Sequence, residues 1–184
     1  MNTAFIALLA LLLIAALVVD LRARRIPNRL ILVGLAGASI LHAIALAAHQ
    51  PGRAGPDAWS PLAGLLAGGA ALLPLYWLRA CGAGDVKLMA MVGAFIGAPL
   101  VLVAALYTLL AGGLLSLVFM LPRGVAAQTR ANVRFMLTDW SLRLRTGQGA
   151  RIEPLAMTAA RLPYAVAIAL GTAAALIWPL ARTA

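Results

Sequence analysis

The sequence predicts an all-α integral membrane protein with six transmembrane helices, and three observations carry that prediction. Of its 184 residues, 64% are hydrophobic. Only 11% are charged, against roughly 25% in soluble domains. The apolar residues also gather in long runs, with the charges collected between them. A soluble fold of this size leaves roughly a third of its chain surface in water, too much to conceal so oily a composition. Disorder, which needs low hydrophobicity, is excluded as well.

The first run, residues 4–19, stops at Asp20. A cleaved signal peptide carries positive charge ahead of its apolar stretch. Here no charged side chain precedes Asp20, while Arg22, Arg24, Arg25 and Arg29 follow it, so the run reads as a retained span. Residues 30–48 form the second span, and a polar turn with two prolines and two glycines covers 49–60. Residues 61–78 form the third. Between 88 and 121 no charge occurs, and one helix of that length would measure about 51 Å at 1.5 Å per residue, too long for a core of about 30 Å. Gly97-Ala98-Pro99 is the natural break. It divides the stretch into a short fourth span, 86–98, and a fifth, 100–121. Residues 162–180 make the sixth, and the whole chain reads as one membrane-embedded domain.

The cations set the expected orientation. Thirteen of the 15 Lys and Arg residues fall in or beside the connections after spans one, three and five, leaving Arg53 and Arg182 for the other side. The positive-inside rule then puts both termini outside and those three connections in the cytoplasm. The formal charge of +10 therefore reports topology, and no nucleic-acid partner is expected. In the largest connection, 122–161, Val133, Met136, Leu137, Trp140 and Leu144 recur at helical spacing among Arg130, Arg134, Asp139, Arg143 and Arg145. A basic amphipathic helix on the anionic inner leaflet accounts for the pattern; a substrate-docking surface is the alternative.

Little in the sequence suggests metal or thiol chemistry. Cys81 is the single cysteine, and His42 and His49 have no third ligand nearby, so no metal and no cofactor is expected. His42 reads as a hydrogen-bonded residue of the bundle. Among the five acids, Asp57 suits a turn, and Asp139 and Glu153 suit surface pairs with arginine. Asp20 and Asp85 differ, because both lie at the cytoplasmic edge, one ending the first span and one opening the fourth. Asp85 could serve as a helix N-cap. Asp20 stands at a helix C-terminus, where the dipole disfavours negative charge, and pairing with Arg24 or Arg25 is its structural alternative. Two neighbouring carboxyls in a partly desolvated site share a proton. Such a pair can activate water and polarise a peptide carbonyl at once.

Asp20 followed by Ile26-Pro27-Asn28, and then Gly82-Ala83-Gly84-Asp85-Val86-Lys87, resembles the type IV prepilin peptidases, membrane aspartyl proteases with a GxGD motif. The late Arg161-Leu162-Pro163-Tyr164 and the six-span outline fit the same family. The resemblance implies that Asp20 and Asp85 are the catalytic pair and that the substrate is a prepilin, whose basic leader is cut at the cytoplasmic face of a bacterial inner membrane. It makes Gly82, Gly84, Lys87, Ile26, Pro27 and Asn28 supporting residues. The glycines would allow unusual backbone dihedrals and close substrate approach, Lys87 would tune Asp85 or meet lipid phosphate, and Pro27 and Asn28 would set the turn into the second span. Larger family members carry a CxxC-bearing insertion between the first two spans and methylate the new N-terminus. That connection is only residues 20–29 here and lacks cysteine, so a peptidase without methyltransferase activity is expected, similar to those of Tad/Flp-type pili. A small transporter and a noncatalytic assembly subunit of a pilus or secretion system are the competing readings. The first would call for charges deeper in the spans.

Overall fold

The computed structural model describes residues 2–49, 54–78, 80–120, 134, 138 and 164–178. They are helical almost throughout: α1 (Asn2–Ala23), α2 (Asn28–Ala47), α3 (Ser60–Trp77), α4 (Ala83–Ile96), α5 (Ala98–Met120) and α6 (Tyr164–Ile177). No strand occurs among the described residues. Two compact units divide the chain, residues 1–112 with 163–184 and residues 113–162. In the second, Thr138 donates its hydroxyl to the Arg134 carbonyl at 2.9 Å. The amphipathic helix expected over 122–161 otherwise lies outside the described residues.

Helix boundaries follow local chemistry. No glycine or proline interrupts α1, which runs four residues past the predicted end. Asp20 therefore sits within its last turn. Arg24 closes that turn in the left-handed region at φ 51°, its amide donating to the Asp20 carbonyl at 2.8 Å. Pro27, with φ −67° and ψ 135°, caps the start of α2, so the first connection is short and sharply turned. Pro61 lies in the first turn of α3, where a missing amide costs little, and Pro74 lies inside the helix near its end, where it removes one backbone bond. Gly97, at φ 81°, ends α4, and Pro99 lies at the start of α5; the predicted break is there. A side chain at Gly97 would also collide with the Ala54 carbonyl in the α2–α3 connection.

Four helices are long and apolar enough to cross a membrane: Thr3–Ala23, Asn28–Ala47, Ser60–Trp77 and Ala98–Val118. Their outward faces carry exposed Leu11, Leu32, Val33, Ile40, Leu66 and Leu110, a surface suited to lipid rather than water. Trp59 and Trp77, each about three-quarters exposed, bracket α3. They are 18 residues apart, about 27 Å along a helix, which matches two aromatic belts across one hydrocarbon core. Helix α6 is apolar but shorter.

Helix α4, at 14 residues as short as α6, is the most enclosed of the described helices. From Leu88 to Ile96 every residue except Ala90 is buried. Helices α1, α2, α3 and α6 all pack on it. Phe95 meets Phe5 of α1 edge-on, with ring centroids 6.5 Å apart and planes at 87°, a favourable aromatic geometry. Against α3 the contact is backbone to backbone. A side chain on Gly64 would strike the Gly93 carbonyl, one on Gly93 would strike the Gly64 carbonyl, and one on Gly68 would strike that of Met89. Small residues at such spacing let membrane helices approach closely, where packing rather than water expulsion drives association.

Candidate active site

Asp20 and Asp85 reach the same end of the first unit by different routes. Asp20 projects from the last turn of α1 and is buried. Its Oδ2 accepts the backbone N–H of Ala165, the second residue of α6, at 3.3 Å. Among the described residues it forms no ion pair, so the alternative of pairing with Arg24 or Arg25 is not what the fold adopts. Asp85 occupies the third position of α4, because the helix starts at Ala83 rather than 86. It is therefore not the N-cap. Its Oδ2 instead reaches back to accept the N–H of Gly82, the residue that does cap the helix, at 2.8 Å. This is the carboxylate half of a capping box.

The supporting glycines act differently from the expectation of unusual dihedrals. Gly82 has φ −87° and ψ 159°, an extended conformation open to any residue. What matters at Gly82 is space, since a Cβ there would lie 3.3 Å from Asp85 Oδ2. At Gly84 the helical backbone needs no glycine either. A Cβ there would lie 3.3 Å from the Cβ of Ile26, so the bare backbone lets the first turn of α4 settle on that side chain. Lys87 then donates from Nζ to Asn28 Oδ1 at 3.0 Å. The stretch around Ile26-Pro27-Asn28 and the stretch Gly84 to Lys87, 59 positions apart at the Lys87–Asn28 pair, are thus joined at two points. Lys87 contacts the first of these segments rather than Asp85 itself.

The electrostatics follow from this placement. Burial pushes the Asp85 carboxyl up from 3.8 to about 6, the Gly82 N–H pulls it back, and the charge of Asp20 adds to the upward push. The two acids are therefore within electrostatic reach of each other, the arrangement that raises one member of a carboxyl pair. Close by, burial and the Asp85 charge push the Cys81 thiol up to about 11. A thiol so poorly ionised near neutrality is a poor nucleophile. Cys81 instead donates weakly to the Leu72 carbonyl, at 3.9 Å.

The histidines serve structure. His42 is buried and donates from Nε2 to the Asp57 carbonyl at 2.9 Å, tying α2 to the connection before α3. His49 donates from Nδ1 to the Ala47 carbonyl at 3.2 Å. Asp57 accordingly works in its turn through its backbone, its own N–H donating to Ser60 Oγ at 3.2 Å.

Sequence reasoning missed Ala165 as a partner of Asp20. A main-chain amide leaves no mark in residue type; the available signal was Pro163-Tyr164 at a predicted helix start, which points to an ordered first turn.

Long apolar helices with lipid-suited faces define a multi-pass membrane protein, with two carboxylates held at one end of the bundle. The model of the type IV leader peptidase family matches residues 7–117, and the chain belongs to that family, as a protease. The match takes in Asp20, Asp85 and both joined segments, and ends before α6. No curated protein and no solved structure matches the chain.

Proposed function

We propose that this membrane protease removes the basic leader peptide from Flp-type prepilins at the cytoplasmic face of a bacterial inner membrane, with Asp20 and Asp85 as its catalytic pair and without methylating the product. In this reading the chain crosses the membrane six times, with both termini outside. The carrying observation is the convergence of two acids, one from α1 and one from α4, with the Asp85 carboxyl raised to about 6. A carboxyl so raised keeps a useful protonated fraction near neutrality, which a proteolytic pair requires.

The reaction then needs nothing beyond the two side chains and water. One carboxylate takes a proton from water as the water oxygen attacks the scissile carbonyl carbon. The protonated partner gives its proton to the carbonyl oxygen, forming a neutral tetrahedral diol. Its collapse restores the carbonyl and breaks the C–N bond. The proton first taken from water goes to the leaving amine, and the diol's hydroxyl proton returns to the pair. Leader and pilin are released with the shared proton in place.

Thirteen of the 15 cations fall in or beside the connections after spans one, three and five, and this favours the placement, since the positive-inside rule puts that end of α1 and α4 in the cytoplasm. Anionic lipid of that leaflet is the expected neighbour of the basic connections. Coexpression with a candidate Flp-type prepilin tests the proposal. The pilin should lose its leader by mass, carry no added methyl group, and stay unprocessed with Asp20→Asn or Asp85→Asn. Processing at the normal rate by either variant would remove the pair from the mechanism.

A further inference from the structure

We propose that the start of α6 completes the proteolytic centre, with Tyr164 a positioning residue that holds the Ala165 amide on Asp20. This rests on the reading of Asp20 as a catalytic carboxylate. Asp20 lies at the end of α1, where its own helix offers no free amide and the helix dipole opposes an anion. It is only 7% exposed, so its oxygens need partners from elsewhere in the fold. Ala165, 145 positions along the chain, supplies one through its backbone N–H at 3.3 Å. That amide belongs to the first turn of α6, whose N–H groups have no acceptor within the helix.

The adjacent side chain decides where this turn sits. Tyr164 lies against Gly112 of α5, with Cε2 and the phenol oxygen each 3.3 Å from the position a Cβ would take there. The ring thus occupies a notch that glycine leaves open. The start of α6 is thus seated at two points: Tyr164 against Gly112 of α5, and Ala165, through its amide, on Asp20 of α1. A hydrogen bond of 3.3 Å is long for an amide and carboxylate, and bonds in a resting site commonly tighten when substrate arrives. Its geometry is consequently sensitive to small shifts of the α6 first turn.

The test is steady-state cleavage of a purified prepilin by the full chain in detergent, with the melting temperature of each variant measured alongside. Tyr164→Phe keeps the ring in its notch and should stay within about twofold of wild type in kcat. Tyr164→Ala should lower kcat by up to about 100-fold, the scale of a roughly 1 Å misplacement, with KM nearly unchanged. Ala165→Pro removes the amide at a first-turn position where proline is tolerated, and should do the same. Because both act through one bond, the double variant should be no worse than the poorer single one. Where Tyr164→Ala yields no folded protein, Tyr164→Leu, which fills the notch less completely, should show the same kcat loss. Normal kcat in folded Tyr164→Ala, or in Tyr164→Leu where it stands in, and in Ala165→Pro, a Tyr164→Phe loss as large as that of Tyr164→Ala, or losses that multiply in the double, would overturn the inference. An active Asp20→Asn enzyme would instead overturn the reading beneath it.

Discussion

The two ends of α4 solve the same packing problem with opposite chemistry. Toward its C-terminus, Gly93 and Gly97 meet Gly64 and Ala54 with backbone against backbone, and the neighbouring side chains are buried and apolar. At its N-terminus, Gly84 also admits a close neighbour, Ile26, but polar joints surround that contact: Asp85 to Gly82, and Lys87 to Asn28. The first end is a dry scaffold that holds α3 and α4 in register. The second holds the Asp85 carboxylate on the Gly82 amide at the start of the helix. Glycine serves both, and only its surroundings decide whether closeness makes a dry joint or a polar one.

This contrast can be broken most forcefully at the acids. Asp85→Asn or Asp20→Asn should cut leader cleavage by at least roughly 100-fold, the scale of a lost general acid or base, while the protein inserts and melts normally. Loss of folded protein instead would make these residues structural. The opposite behaviour is expected at the glycine scaffold. Gly93→Val places a side chain against the Gly64 backbone and should destabilise by about 3 kcal/mol, the upper range for overpacking, with activity per folded molecule retained. A melting curve in detergent paired with specific activity separates the two.

The pH dependence sharpens the comparison further. Folding raises the Asp85 carboxyl from 3.8 to about 6, so the folded chain holds that proton more tightly than the unfolded one. Stability from this group is therefore greatest at low pH, falls as pH rises from about 4 to about 6, and stays lower above that. Asp85→Asn should flatten that slope. Cleavage should decline on the alkaline side once the pair loses its shared proton; full activity at high pH with a fall only below about pH 4 would speak against sharing.

Smaller effects are expected at the joints. Gly84→Val should push α4 from Ile26 and lower kcat by about tenfold, the rate equivalent of about 1.4 kcal/mol, with a lesser loss of stability. Lys87→Met removes an exposed bond to Asn28 worth about 1 kcal/mol, so a fall of about fivefold is expected. Equal losses of stability and activity at Gly84 would place it with the scaffold.

Much of the site was legible beforehand because it resides in unusual residue types. Few acids occur in an oily chain, so Asp20 and Asp85 stand out, and the Gly97-Ala98-Pro99 break follows from backbone chemistry. Other details were misread for a local reason. The span expected from residue 86 begins in the structure as a helix at Ala83, since Ala83 and Gly84 mark no strong apolar start, and Asp85 reaches back to the cap instead of being one. For Gly82 and Gly84 the sequence suggests dihedral freedom and close substrate approach, whereas the constraint at Gly84 comes from Ile26, outside the segment, and that at Gly82 from Asp85 within it.

The sequence by itself determined the membrane character, the helical class and the identity of the scarce acids, since these depend on composition and on contacts between residues near in the chain. Only the tertiary structure decided that Ile26 lies on Gly84, that Lys87 reaches Asn28, and that the Ala165 amide meets Asp20. Those contacts join positions far apart in sequence, and two of them use atoms that every residue type carries. Residue types near in sequence do not mark such a meeting; it exists once helices have packed closely enough to bring a side chain of one against the backbone of another.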